Sequence, residues 1–159
     1  MRKSLVTLTV AAGIITGAVG GAALAGGHEK HPAVKARQAS MQLYAHYLGQ
    51  LGAMAKGKVE YNAEKADTVA KSLNAVVGLD KSAMWPQGTS NADLPGQTSA
   101  LPEIWSTYPA VAEKGKALAD ASAQMASAAG QGLDSLRGAI GGVGAACGAC
   151  HKAFRAPAN

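Results

Sequence analysis

Aromatic side chains are scarce in this chain. Its 159 residues include one Phe, two Trp and four Tyr. A small domain rich in Ala and Gly has difficulty filling a core with so few rings, and a buried macrocycle would supply the missing apolar bulk. Strand-like alternation is missing too, which argues against a β-α redox unit. The basic balance of the chain comes without a Lys/Arg run or a basic stripe interleaved with aromatics, so nucleic acid is not an expected partner. After the N-terminal segment no second apolar run of spanning length follows, so no stable membrane span is expected in the mature chain.

What is present begins with a leader. Arg2 and Lys3 precede an apolar, Gly/Ala-rich run from Leu5 to Leu24, and Ala23-Leu24-Ala25 offers a small-x-small cleavage site. The expectation is a cleaved signal peptide over residues 1–25, a single mature domain over 26–159, and a bacterial periplasmic location. The rival is an uncleaved membrane anchor, since the run is about long enough to span; its glycines and cleavage site favour removal. Loss of Arg2 and Lys3 takes the formal net charge from +5 to +3.

Near the other end stands Cys147-Gly148-Ala149-Cys150-His151. Two thiols three residues apart, followed at once by a histidine, form the C-x-x-C-H signature of covalent c-type haem attachment. The two sulfurs can bond the two vinyl groups of one porphyrin, and His151 is then placed to reach the iron. A disulfide is the alternative use of the two cysteines in an exported chain. Zinc fits poorly, because two Cys and one adjacent His are too few ligands at the wrong spacing. The expected cofactor is one covalent haem c with its iron.

Four stretches carry helical periodicity. In Val34 to Ala55, Val34, Arg37, Met41, Tyr44, Leu48, Leu51 and Ala55 fall on one face; Pro32 suits the start and Gly57 the stop. The second runs from Ala63 to Val77 with Asn62 as N-cap and Gly78 as stop, its stripe being Ala66, Val69, Leu73 and Val76. Leu79 to Leu101 reads as a long loop rich in turn residues, with Trp85 as a packing anchor over one cofactor edge. The third helix is expected over Pro109 to Ala129, after a short turn from Pro102, with Val111, Leu118, Ala121, Met125 and Ala128 on one face. The fourth is expected over Leu133 to Phe154, where Leu133, Leu136, Ile140, Val143, Cys147, Cys150 and Phe154 continue one stripe. Gly141, Gly142 and Gly144 are costly there; a close partner or a kinked segment would each account for them. The expected fold is all-α, an antiparallel four-helix bundle with a haem held at the C-terminal helix.

Function then depends on the other side of the iron. Met41 lies on the first helix's apolar stripe and is the leading second axial ligand; a thioether there makes an electron carrier, while the plain alternative is a Met that fills core. Arg37, one turn earlier, puts a charge on a buried face and needs a partner. A haem propionate would serve, as would snorkelling from the helix end. Gln38 lies at the same level. His28 and His31 fall in the N-terminal segment, and His46 falls off the stripe. A peroxidase-like enzyme is not expected, because no second histidine is placed on the inner face to act as distal acid-base group.

These residues resemble class II c-type cytochromes, the cytochrome c′ family. The resemblance runs from about Val34 to Arg155 and rests on the C-terminal haem segment Val143 to Arg155, on Pro102-Glu103-Ile104-Trp105, and on Arg37-Gln38. It implies a four-helix bundle with Cys147 and Cys150 bonded to haem, His151 on the iron, and Arg37 and Gln38 contacting a propionate. Met41 falls where the family's low-spin branch places its methionine ligand, and Leu51-Gly52-Ala53-Met54-Ala55-Lys56-Gly57 looks like the segment that follows in that branch. Arg37-Gln38 is more typical of the five-coordinate branch, which binds NO or CO. The resemblance thus implies an exported electron-transfer protein and not an enzyme, with a gas-binding protein as the alternative. It admits a homodimer through the first two helices and leaves the redox partners unnamed.

Overall fold

A computed structural model describes residues 29–157. The expected leader over residues 1–25, and His28, lie outside the described residues. The helices are α1 (Pro32–Ala55), α2 (Ala63–Val77), the short α3 (Glu103–Ser106), α4 (Tyr108–Ala128) and α5 (Leu133–Phe154), with a 3-10 turn at Ser82–Met84.

Local chemistry sets their ends. Pro32 opens α1, where its missing N–H costs nothing, and His31 Nδ1 accepts from Ala33 N at 3.2 Å. Gly57, at φ 68°, takes the left-handed turn after α1 that a side chain would resist. The Asn62 side chain accepts from Lys65 N at 2.8 Å and caps α2, which stops at Gly78. The segment after Pro102 closes as a separate turn of helix, α3, and α4 restarts at Tyr108 with Pro109 in its first turn.

The four long helices form a ring: α1 packs on α2 and α5, and α4 on the same two neighbours. Leu51 and Met54 from α1, Leu73 and Val77 from α2, Met125 from α4, and Leu136 and Val143 from α5 fill the centre. Burying each such side chain contributes about 1.5–3 kcal/mol. The faces depart from expectation in small ways. Val77 is buried while Val76 is only half-buried, so the α2 stripe drifts by one residue near its end. The α4 face includes the fully buried Ser122, whose hydroxyl donates to Asn74 Oδ1 at 2.8 Å, so a polar residue sits inside without cost. Of Gly141, Gly142 and Gly144 in α5, only Gly142 faces a neighbour, with Ala121 Cβ at 3.9 Å from where its own Cβ would stand; Gly141 and Gly144 face open space. Tyr61 ties the α4–α5 turn, donating to Ala129 O at 2.8 Å and accepting from Gly132 N at 3.0 Å.

A second cluster occupies one end of the ring. Ala100, Ile104 and Phe154 are buried there, with Trp85, Trp105, Val111 and Cys150 packed against them. The long loop is ordered. Asn91 N donates to Ala100 O at 2.7 Å, and the loop's exit is pinned to the end of α5 by Leu101 N to Phe154 O and Ala156 N to Ser99 O. Ala100 and Arg155 form an isolated antiparallel bridge. Among the described residues no helix is long and apolar enough to cross a membrane.

Candidate functional site

The second cluster walls a cavity of about 860 Å³. That lies within the ~300–1,000 Å³ range of small-molecule and cofactor pockets. Ile104 and Trp105 of α3, Val111 of α4 and Phe154 of α5 make an apolar lining, and Trp85 of the loop closes one side. From α5, Cys150 and His151 also reach it; from α1 come Arg37, Gln38 and Met41. Cys147, one turn before His151, is half-buried against the bundle core. The sequence-predicted residues therefore converge, with Cys147 adjoining from the core side.

Both thiols are free, and burial pushes each above its ordinary pKa, so both are protonated at neutral pH. His151 is shifted the other way. Burial disfavours its imidazolium, and the positive charge of Arg155 adds to the effect. The imidazole is thus held neutral, the form whose lone pair binds a metal.

Arg37 is 3 % exposed. Its Nη1 donates to Thr89 Oγ1 at 2.9 Å, and its Nη2 to Thr89 O at 2.5 Å and Thr98 Oγ1 at 2.9 Å. The guanidinium lies 4.8 Å from the Trp85 ring centre and 5.9 Å from that of Trp105. Trp105 Nε1 in turn donates to the Trp85 backbone carbonyl at 2.9 Å. Burial lowers the Arg37 pKa, but a guanidinium keeps its charge at any ordinary pH. The partner that a buried cation requires is thus supplied by the loop. Gln38 also bonds to the loop, donating from Nε2 to Gln97 O at 2.9 Å.

Met41 is 40 % exposed on the cavity side, whereas Met54 and Met125 are 2 % and 0 % exposed in the core. Met84 Sδ accepts from Ser40 Oγ at 3.6 Å. Met41 is accordingly the methionine among the described residues that faces the cavity rather than filling the bundle. His46 is exposed beside Gln50, and His31 serves as the α1 cap; neither lines the cavity.

Sequence reasoning missed Thr89 and Thr98, which are 52 and 61 residues from Arg37. The arginine on a buried stripe signalled that a partner exists and not where it lies. Tyr44 was placed on the α1 stripe, but its buried hydroxyl lacks a hydrogen-bond partner.

The donor set is one neutral imidazole and two thiols within about one helical turn, with Cys150 and His151 at the wall of an apolar cavity and Cys147 beside it on the core side. That set fits a porphyrin iron anchored through thioethers. It does not fit a bare ion: among the described residues no three His, Cys, Asp or Glu side chains come together as a metal cage.

The sequence pattern of the family described as Cytochrome C′ matches residues 32–155. The chain belongs to the cytochrome c′ family. Members of this family carry covalently attached haem c with its iron. A cytochrome c-554 of Cereibacter sphaeroides is 38% identical over 122 residues, 77% of this chain and 79% of that protein. The solved cytochrome c′ of Rhodobacter sphaeroides superposes with a TM-score of 0.77 at 37% identity, covering 79% of this chain and 96% of that one. A ferrous variant of cytochrome c′ from Alcaligenes xylosoxidans with bound NO superposes at 0.70 with 32% identity, over 79% of this chain and 94% of that one. As a cytochrome c′-family protein, this chain is an all-α four-helix bundle built around a haem c.

Proposed function

We propose that this protein is an exported monohaem cytochrome that transfers electrons, with Cys147 and Cys150 bonded to the haem and His151 and Met41 as the two axial ligands of the iron. The observation that carries the reading is that Met41 of α1 and His151 of α5 line one cavity. When bound, the haem iron supplies one-electron chemistry, its potential raised by a thioether ligand.

The chain's own residues do the rest. Cys147 and Cys150 would hold the haem as thioethers, each thiol supplying the S–H that one vinyl group would take up, with no oxidant needed. Burial keeps the His151 imidazole unprotonated for the iron. Ile104, Val111 and Phe154 exclude water, and Arg37 holds the tryptophan-bearing loop across the opening. The protein is a carrier and not an enzyme in this reading. Its export is proposed from Arg2, Lys3 and the apolar run to Leu24, with cleavage after Ala25 and a periplasmic destination.

A second reading has two observations in its favour. Met41 is not packed in place, and a relative of similar fold holds NO. In that reading the distal face stays open and the protein binds NO or CO.

Optical spectra of the purified protein, oxidised and reduced, with and without CO, decide between them. The proposal expects low-spin iron indifferent to CO, and a Met41→Ala variant that turns high-spin and binds CO. A wild-type high-spin spectrum that shifts with CO sinks methionine ligation and leaves the gas-binding reading.

A further inference from the structure

A polar cavity of about 580 Å³ adjoins the apolar one. The two share Gln38, Thr98 and Ser99 as a partition. Lys30 brings the one formal charge among the described residues that line the polar chamber. Its half-buried ammonium donates to Gln38 Oε1 at 2.8 Å. Gln38 is fixed in turn by Gln97 O, and Gln97 Oε1 accepts from His31 N at 2.9 Å. Lys30 is therefore positioned by a chain of neutral amides, and among the described residues no carboxylate pairs with it.

Arg37 is differently placed. Its guanidinium is committed to Thr89 and Thr98 and covered by the two tryptophans. A haem is apolar over most of its surface and carries two carboxylates along one edge. An apolar cavity that gives onto a cationic polar chamber matches that asymmetry, provided the carboxylate edge points at the partition.

We propose that Lys30 is the counter-ion of a haem propionate, reached past Gln38, Thr98 and Ser99, and that Arg37 acts on that edge through the loop it holds. The proposal rests on the haem reading of the larger cavity. Other charged groups nearby have their own partners or face elsewhere. Glu29 pairs with Lys35 at 2.6 Å, and Asp93 is bonded to Ser90. The His31 ring accepts from Ala33 N. Asp80, Lys81, His151 and Arg155 line the larger cavity and do not line the polar chamber.

The test uses the haem-loaded full chain and follows midpoint potential against pH for wild type, Lys30→Gln and Lys30→Arg. An opposite charge within about 4–6 Å lowers a carboxylate pKa by about 1–3 units. Lys30→Gln is therefore expected to move the pH-dependent step of the potential upward by about one unit, and Lys30→Arg to leave it near the wild-type position. Where wild type shows no step, Lys30→Gln lowers the potential at fixed pH. A haem-loaded Lys30→Gln protein with the wild-type profile and potential overturns the assignment alone. A purified wild-type chain whose mass shows no covalent haem overturns the haem reading and this inference together.

Discussion

Replacing Arg37 with Ala tests how much of the cavity wall hangs on one side chain. The substitution removes three close hydrogen bonds to Thr89 and Thr98 and the stack against Trp85 and Trp105. Bonds to a charged donor contribute about 1.5–3 kcal/mol each, and a cation–π contact about 0.5–2 kcal/mol. Against this stands the desolvation of a buried guanidinium, several kcal/mol. What remains is dominated by the groups left behind. Thr98 Oγ1 still accepts from Ala100 N and Thr89 Oγ1 still donates to Pro86 O, but Thr89 O loses its donor. Leaving a buried acceptor without its donor costs about 1–3 kcal/mol, and the cavity left by the side chain adds to it, so the expected loss is about 3 kcal/mol. For a domain of this size, about 3 kcal/mol lowers Tm by roughly 10 °C. Arg37→Lys keeps the charge without the planar fork and should lose about half as much. Thermal unfolding of the haem-loaded protein by circular dichroism measures both, and hydrogen exchange should show the amides of Asn91 and Leu101 losing protection before those of α2. A fall in Tm below about 2 °C for Arg37→Ala would show that the loop is held by something else.

Two smaller changes probe other parts of the same end and of the core. Tyr44→Phe removes a buried hydroxyl with no partner and should leave stability unchanged or raise it by up to about 1 kcal/mol in denaturant unfolding; a loss above about 1 kcal/mol would mean that the hydroxyl is bonded once haem is in place. Asp93 accepts from the Ser90 hydroxyl at 2.6 Å and from Ser90 N at 3.0 Å, which holds its carboxyl below the ordinary range. Because the folded value is the lower one, its contribution is present above the unfolded pKa of about 3.9 and is lost as pH falls through the folded value. Asp93→Asn should therefore flatten the acid limb of the stability–pH curve below about pH 4, and an unchanged limb would refute the role.

The sequence made some elements plain and hid others for physical reasons. Helix α2 starts and stops where Asn62 and Gly78 indicate, because caps act within one turn and are visible locally. Helix α5 runs from Leu133 to Phe154 as its periodicity indicates; its stripe carries Cys150 to the cavity and Cys147 against the core beside it, and His151, next to the stripe, reaches the cavity too. Helix α4, the third of the four long helices, was less legible. Its buried face includes Ser122, whose polarity is cancelled by Asn74, 48 residues away, and no periodicity of apolar residues can register that. The loop was the least legible part. Its turn residues marked it as a loop, but its order comes from Arg37 and from the end of α5, contacts that span most of the chain. Met41 was legible as a position and not as a ligand, since helical spacing places a side chain on a face without saying what stands opposite.

The bridge between Ala100 and Arg155, with Ser99 O accepting from Ala156 N, couples the loop to the end of α5. Local opening of either partner leaves the loop with Arg37 as its holdfast but no latch at its far end, and the side of the cavity next to His151 opens with it. The helix that carries the cofactor anchor is thus also the latch of the cavity beside it.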